Sequence, residues 1–282
     1  MNMIEAADGV RLYVEDFGAG LPLVFICGGN STHKNWESQV AALAGEFRTI
    51  TFDWRGTGLS DKPRTGYTGR AAAADVEALV DRLDLAPAIL VGHGLGAHLA
   101  LLVAYNAPHK VRGLFLTAAA PWFSGERDGA VGGVSEDFYR FMISQRSGKT
   151  HAVTVPYAET CYRLGDEWLF HRKPSPGVMQ AILEQALAWP QYVLNEYAAD
   201  MRAIDHRGRL ATLRIPTVIA QGRRDRKQRY EGGVYMAQQI PGAKLVTLEH
   251  SATMGNMEEV EAFNAALAEF ARGLAARGDV AA

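Results

Sequence analysis

The stretch that decides the fold is Ala88-Ile89-Leu90-Val91-Gly92-His93-Gly94-Leu95-Gly96-Ala97-His98. An apolar run, three glycines at alternate positions and a second apolar run reaching Tyr105 read as strand, tight turn and helix. Two chemistries use such a turn. A dinucleotide cradle fits Gly92-x-Gly94-x-x-Ala97, but it needs an acidic residue about 20 positions further on to hold the ribose. From Leu95 to Gly125 there is no Asp or Glu, and a long segment with strands of its own precedes the turn. The second reading is the strained turn that carries a nucleophile at its apex. Small residues stand two positions to either side of that apex, because strand and helix approach too closely for side chains. Gly92 and Gly96 are those small residues, and Gly94 is the apex.

Outward from the turn, short β-type runs alternate with helical stretches, the pattern of an α/β protein with a mostly parallel twisted sheet flanked by helices. Strands are expected at Arg11–Asp16, Leu21–Cys27, Phe47–Asp53, Ala88–Val91, Val111–Leu116, Pro216–Gln221 and Lys244–Leu248, the first of them antiparallel. Val111–Leu116 is largely apolar, as expected of a strand buried on both faces. Helices are expected at Trp36–Ala44, Arg70–Leu83, Leu95–Tyr105, Tyr230–Gln239 and Met257–Ala275. One interval breaks the rhythm. From Trp122 to about Arg209 no strand is convincing, and the segment reads as several short helices dense in aromatics, among them Phe138, Phe141, Trp168, Trp189 and Tyr197. Most of these rings are expected to form a small core of their own. Others, Trp122 among them, are expected to face a pocket between insertion and sheet, where ligand sites often lie.

The chain has 282 residues, a net charge of −2 and 48% hydrophobic composition, values that exclude wholesale disorder and leave ample material for a core. Balanced charge gives no general attraction to nucleic acid or to an acidic membrane. Cys27 and Cys161 are the only cysteines, too few for a disulfide framework or a zinc cluster. Met1 to Val10 carries Glu5 and Asp8 and lacks the apolar core of a secretory signal. No run approaches the roughly 18 apolar residues needed to span a bilayer. A cytoplasmic protein is the expectation, with a small-molecule substrate, no nucleic acid or membrane partner, no cofactor, and a homodimer as an assembly compatible with the sequence.

Several motifs now converge on a family. Leu23 to Trp36, the run Asp53-Trp54-Arg55-Gly56-Thr57-Gly58-Leu59-Ser60-Asp61-Lys62-Pro63, Gly92 to Ala97, Gly222-Arg223-Arg224-Asp225 and the stretch ending Glu261-Ala262-Phe263-Asn264 together resemble the α/β-hydrolase superfamily. The likeness is greatest to its epoxide hydrolase, dehalogenase, esterase and C–C hydrolase branch. It implies an α/β-hydrolase core over residues 1–121 and 210–282, with 122–209 as an inserted helical cap. It also implies backbone oxyanion donors at Leu95 and at Gly29, in the run Cys27-Gly28-Gly29-Asn30, and an acid at Asp225.

The chain departs from that pattern where the chemistry should be. The resemblance puts Ser, Asp or Cys at the apex, where Gly94 stands, and His ten residues before Phe263, where Thr253 stands. Covalent catalysis needs an activated nucleophile with a base in hydrogen-bond reach, and neither group is at its place. Glycine accepts the strained turn readily, so the turn should survive the loss. A replacement base is sought first in His250, on the same loop as Thr253, and in His33, beyond the oxyanion loop. His93 is expected to pack behind the turn and His98 on the buried face of the helix. His109, His151, His171 and His206 are expected on the surface or in the cap. An arginine of Arg223-Arg224-Asp225-Arg226-Lys227 is a candidate partner for Asp225 or for an anionic substrate group. No metal or flavin ligands assemble at recognisable spacing.

The expected site therefore comprises His250, His33 and Asp225 for catalysis, and Gly29, Asn30, Gly94, Leu95, Trp122 and Thr253 around the substrate. Three functional readings survive. The first is an enzyme acting on a small, partly apolar carbonyl or aromatic metabolite without a covalent nucleophile, by lyase, cyclase or cofactor-free oxygenase-like chemistry at a retained oxyanion hole. The second is a hydrolase that activates a water beside Gly94. The third is a ligand-binding pseudoenzyme.

Overall fold

The structure, a computed structural model, describes residues 2–6, 8–123, 132–144 and 157–278. Eight strands form one sheet: β1 (Met3–Glu5), β2 (Arg11–Phe17), β3 (Pro22–Ile26), β4 (Arg48–Phe52), β5 (Ala88–His93), β6 (Val111–Thr117), β7 (Thr217–Gly222) and β8 (Lys244–Leu248). Their order is β1-β2-β4-β3-β5-β6-β7-β8; β1 and β2 run antiparallel and all later pairings are parallel. A mostly parallel sheet flanked by helices is the architecture expected from the alternating pattern. Strand β1 is an addition to it.

The helices are α1 (Glu37–Leu43), α2 (Gly69–Arg82), α3 (Leu95–Asn106), α4 (Glu136–Ser144), α5 (Tyr157–Leu164), α6 (Pro176–Leu187), α7 (Gln191–Met201), α8 (Arg207–Leu210), α9 (Tyr230–Gln239), α10 (Gly255–Glu258) and α11 (Val260–Gly278). α2 starts where Thr68 accepts a hydrogen bond from the Ala71 amide at 3.1 Å, the usual reason a threonine begins a helix. The expected single helix Met257–Ala275 is two, because Glu259 between them leaves helical geometry at φ −124°, ψ 57°. Every residue of β5 and β7 is buried, which is why these strands read as apolar runs instead of alternating ones. None of the helices among the described residues is long and apolar enough to cross a membrane.

The chain between β6 and β7 holds α4 to α8. Phe138, Phe141, Leu164, Leu169, Phe170 and Ile182 cluster there with Trp168 against them and with Met254 of the loop after β8, whereas Trp189 and Tyr197 pack on Trp54 in the main core and not in a core of the segment's own. The segment is tied to the core by hydrogen bonds at the end of α6. The Trp189 indole N–H donates to Ser31 O at 2.6 Å, the Thr32 amide donates to Gln185 Oε1 at 3.1 Å, and the Gly58 amide donates to Ala188 O at 3.0 Å. All three reach the loops that follow β3 and β4.

Beneath the sheet edge, Arg55 places its Nε and Nη2 on the Asp75 carboxylate at 2.6 and 2.5 Å and its Nη1 on Asp8 at 2.7 Å. Asp53 takes the His33 amide and ring on Oδ1 and the Leu59 amide on Oδ2, so it orders the turn while Arg55 braces it.

Candidate active site

The site forms at the carboxyl edge of the sheet, where ligands bind in open α/β folds. Its centre is the turn from β5 into α3. Gly94 sits there at φ 54°, ψ −114°, a region that costs an L-residue strain. Its amide is held by Thr117 O at 3.0 Å, at the end of β6. The two flanking glycines are enforced by space. A Cβ on Gly92 would stand 2.6 Å from Gly96 O, and one on Gly96 would stand 2.2 Å from Ile26 O. At Gly94 the reverse holds: a Cβ there would meet only Gly28 Cα, at 4.0 Å. Gly94 is itself buried, and among the described residues the position its side chain would take is open.

Gly29 adjoins the same space; a Cβ on it would lie 3.0 Å from Leu95 Cδ1. The Leu95 N–H belongs to the first turn of α3, whose amides have no partner within the helix and form a positive end. Asn30 follows with a left-handed φ of 64°, and its side-chain Oδ1 is buried without a hydrogen-bond partner.

On the other side stand the loops after β7 and β8. Asp225 is buried, and its Oδ1 accepts from the Lys227 amide at 2.9 Å, the Gln228 amide at 2.8 Å and the Thr253 hydroxyl at 2.8 Å. Its Oδ2 has no partner. Burial raises the carboxyl pKa to about 6, against the lowering effect of these donors. His93 links this group to the turn, since its Nε2–H donates to Thr253 O at 3.0 Å. That bond fixes the neutral tautomer, and burial depresses the ring pKa to about 4. His93 therefore packs behind the turn, as expected.

The structure thus brings Gly29, Gly94, Leu95, Asp225 and Thr253 together. The two histidines sought as bases are not among them. His33 gives its Nδ1 to Asp53 Oδ1 at 2.9 Å, with Nε2 3.8 Å from Glu15 and the ring against Tyr13. Burial alone would lower its pKa, but Asp53 and Glu15 outweigh that and hold it up, as a partner in a buried ion pair. His250 is exposed, on a groove of about 620 Å³ shared with Lys34, Arg172 and Glu259. It is turned outward because the His250 amide is held by Glu259 at 2.8 Å and the Ala252 amide by Glu258 at 2.8 Å. Trp122 is fully buried, with Arg207 over its ring at 4.7 Å and Tyr235 at 6.4 Å.

Two further expectations change. No arginine pairs with Asp225 among the described residues; its partners are the Thr253 hydroxyl and two amides. His206 is buried, not superficial. Its Nε2 lies 3.0 Å from Nδ1 of His98 on α3, the rings stacked at 5.1 Å. His98 is on the buried face as expected, and burial lowers its pKa to about 4 and that of His206 well below the ordinary value. His109 and His171 are exposed, and His151 lies outside the described residues. No group of three metal-ligating side chains occurs among the described residues.

One residue at this edge carries no sequence signal of its own. Lys227 is half-buried, with its ammonium 5.4 Å from the Phe138 ring centroid and close enough to Asp225 and His93 for its charge to act on both. Inside a charged run it reads as one more solvated cation. Only the contact of its backbone with residues of the inserted segment turns it inward.

A family model described as alpha/beta hydrolase fold matches residues 22–260. The chain is 32% identical over 274 residues to the AB hydrolase superfamily protein YisY of Bacillus subtilis (strain 168), a match covering 95% of this chain and 98% of that protein. It is 27% identical over 241 residues to a non-heme chloroperoxidase of Streptomyces lividans, covering 80% and 82%. Among solved structures, the esterase EaEST of Exiguobacterium antarcticum superposes with a TM-score of 0.87 at 27% identity, covering 96% of this chain and 99% of that one.

Proposed function

The chain belongs to the alpha/beta hydrolase fold family, and we propose that within it this protein is an enzyme acting on a small, partly apolar carbonyl or aromatic metabolite without attaching it to the protein. In this reading Gly94 stands at the family's nucleophile position, Thr253 at its histidine position and Asp225 at its acid position. The helices between β6 and β7 are the cap. The observation that carries the reading is Gly94: the turn has the strained φ/ψ, yet a Cβ there would meet nothing nearer than 4.0 Å. A substrate carbonyl oxygen seats in that space and takes hydrogen bonds from the backbone amides of Leu95 and Gly29. Each such donor to a developing oxyanion is worth about 3–4 kcal/mol. The charge created there is an enolate, the step shared by lyase, cyclase and cofactor-free oxygenase-like chemistry.

Asp225 is the group that takes the proton. It has an unpartnered oxygen and a pKa of about 6, close to where a base works best at neutral pH. A hydrolase that activates a water beside Gly94 would have to draw on Asp225 as well, since the His33 ring is on Asp53 and His250 is exposed. The test is solvent exchange. In D2O the protein is expected to speed loss of the α-proton NMR signals across a panel of alkyl and aryl methyl ketones. Asp225→Asn should lose that acceleration, and intact-protein mass spectrometry should find no adduct. No acceleration with any ketone, or an acylated protein after incubation with short esters, overturns the reading.

A further inference from the structure

Lys227 is the charged side chain at the site that the proposed chemistry leaves unused. Its backbone is fixed on both sides: the amide donates to Asp225 Oδ1 at 2.9 Å, and the carbonyl accepts from Ser135 N at 2.9 Å. The next residue, Gln228, bridges Val134. The side chain therefore leaves the chain between the Asp225 turn and the inserted segment, and its ammonium ends over Phe138. Among the described residues Nζ makes no hydrogen bond and no ion pair, although three donors and a full charge stand half-buried.

The neighbouring groups supply counter-charge only at a distance, from Asp225. Asp225 is the nearest acid, but its Oδ1 already accepts from two amides and a hydroxyl, and Nζ closes on neither oxygen. His93 is neutral. Of the other cations of the run, Arg223 pairs with Glu249 at 3.2 Å, Arg226 is on the Glu167 carbonyl and the Trp168 ring, and Arg224 is exposed. A half-buried ammonium against an aromatic ring, whose one acid in range is engaged with other donors and makes no direct ion pair with it, is an electrostatic deficit that a ligand can fill.

We propose that Lys227 is the specificity-determining residue of the site, and that the ligand is an apolar or aromatic keto acid whose carboxylate pairs with Lys227 while its ketone oxygen occupies the space beside Gly94. This rests on the carbonyl-binding reading above and adds to it the second polar end of the ligand. In this proposal the apolar body of the ligand runs between the two ends, with Leu95 beside Gly94 and Phe138 under the Lys227 ammonium as the buried apolar side chains nearest each end. A neutral ketone of the same shape leaves the ammonium unpaired and binds more weakly.

The probes are 4-acetylbenzoate, its methyl ester and 4-ethylbenzoate, titrated by calorimetry against the wild type, Lys227→Met and Lys227→Arg. The wild type should bind the keto acid at least tenfold more tightly than the ester. That preference should vanish in Lys227→Met and persist in Lys227→Arg. A measurement on the unaltered protein guards against a misfolded variant. Acetic anhydride labelling at Lys227, followed by mass spectrometry, should be slowed by the keto acid and not by the ester, with the exposed Lys173 and Lys244 as internal references. An ester bound as tightly as the acid, a preference retained in Lys227→Met, unprotected Lys227, or no saturation by the acid each overturns the proposal. The comparison of 4-acetylbenzoate with 4-ethylbenzoate reads the ketone seat alone. Equal affinities there, with the Lys227-dependent acid preference intact, would remove the oxyanion reading and leave the anion site standing.

Discussion

Thr253 donates its hydroxyl to Oδ1 of Asp225 at 2.8 Å, and this bond joins the loops after β7 and β8 across the floor of the site. A threonine can hold a buried carboxylate in this way, but it cannot carry a proton between that carboxylate and a neighbour as an imidazole does. Thr253→Val should leave Asp225 with its two amide donors only. The expected cost is about 1–3 kcal/mol in urea unfolding, with the carboxyl titrating higher still. No loss of stability would mean that the hydroxyl contributes nothing to holding the carboxylate.

Gly94→Ser tests the empty space. Its Cβ would meet nothing nearer than 4.0 Å, so the only penalty is backbone strain at φ 54°, about 1–2 kcal/mol. The variant should fold and should not hydrolyse p-nitrophenyl acetate above background, since Thr253 offers no base. The double variant Gly94→Ser/Thr253→His places an imidazole beside Asp225 and should gain ester hydrolysis by about 100-fold or more over the single variant. Strong esterase activity in Gly94→Ser alone would reveal a base already in place.

Gly96→Ala should behave oppositely to Gly94→Ser. Its methyl would lie 2.2 Å from Ile26 O and 2.6 Å from Cys27 O, both main chain, so β3 and α3 would have to separate. Overpacking of this kind costs about 1–3 kcal/mol or more. Thermal melting of the two variants side by side checks the contrast, and a Gly96→Ala protein as stable as the wild type contradicts it.

Acid should weaken the fold through its buried rings. His93 and His98 have pKa values of about 4, and His206 lies well below 6.5, all depressed by burial. Below pH 6.5 the unfolded chain takes up protons that the folded one refuses, so this stability is present above 6.5 and falls away towards pH 4. The slope is about 1.4 kcal/mol per pH unit per ring. Asp225 opposes it: its raised value of about 6 adds stability at low pH that is lost as the pH rises through 6. Urea denaturation at pH 7.5 and 5.5 should show a net loss on acidification, smaller in His206→Gln. A flat profile between these values would contradict charge-free burial of the pair.

Arg55 is buried with one carboxylate, Asp75, as deeply covered as itself. Arg55→Met removes the cation and leaves Asp75 without its counter-ion, which costs about 3–5 kcal/mol. Melting should fall by on the order of 10 °C, and Asp75→Asn in the same background should recover part of the loss.

The sheet was readable from sequence because buried parallel strands are plain apolar runs, and the turn because its flanking glycines answer a contact that no side chain survives. β1 was not, since a span as short as Met3–Glu5 carries no periodicity. The break between α10 and α11 has no proline to announce it. At the site, Gly94 followed from its flanking glycines, and Gly29, Leu95, Thr253 and Asp225 were named from the family resemblance, whereas the direction of a histidine was not legible at all. His250 is turned outward by Glu258 and Glu259, which hold the loop amides. His206 meets His98 across 108 positions, a distance no local pattern reports. Lys227 is distinguished from its charged neighbours only by a tertiary backbone bond to Ser135.

The ties that Gln185 and Trp189 make to Thr32 and Ser31 fasten the end of α6 to the same stretch of chain that turns at Asn30. That stretch therefore owes part of its shape to side chains more than 150 positions further along the sequence, and a change made in the helix end should be felt there.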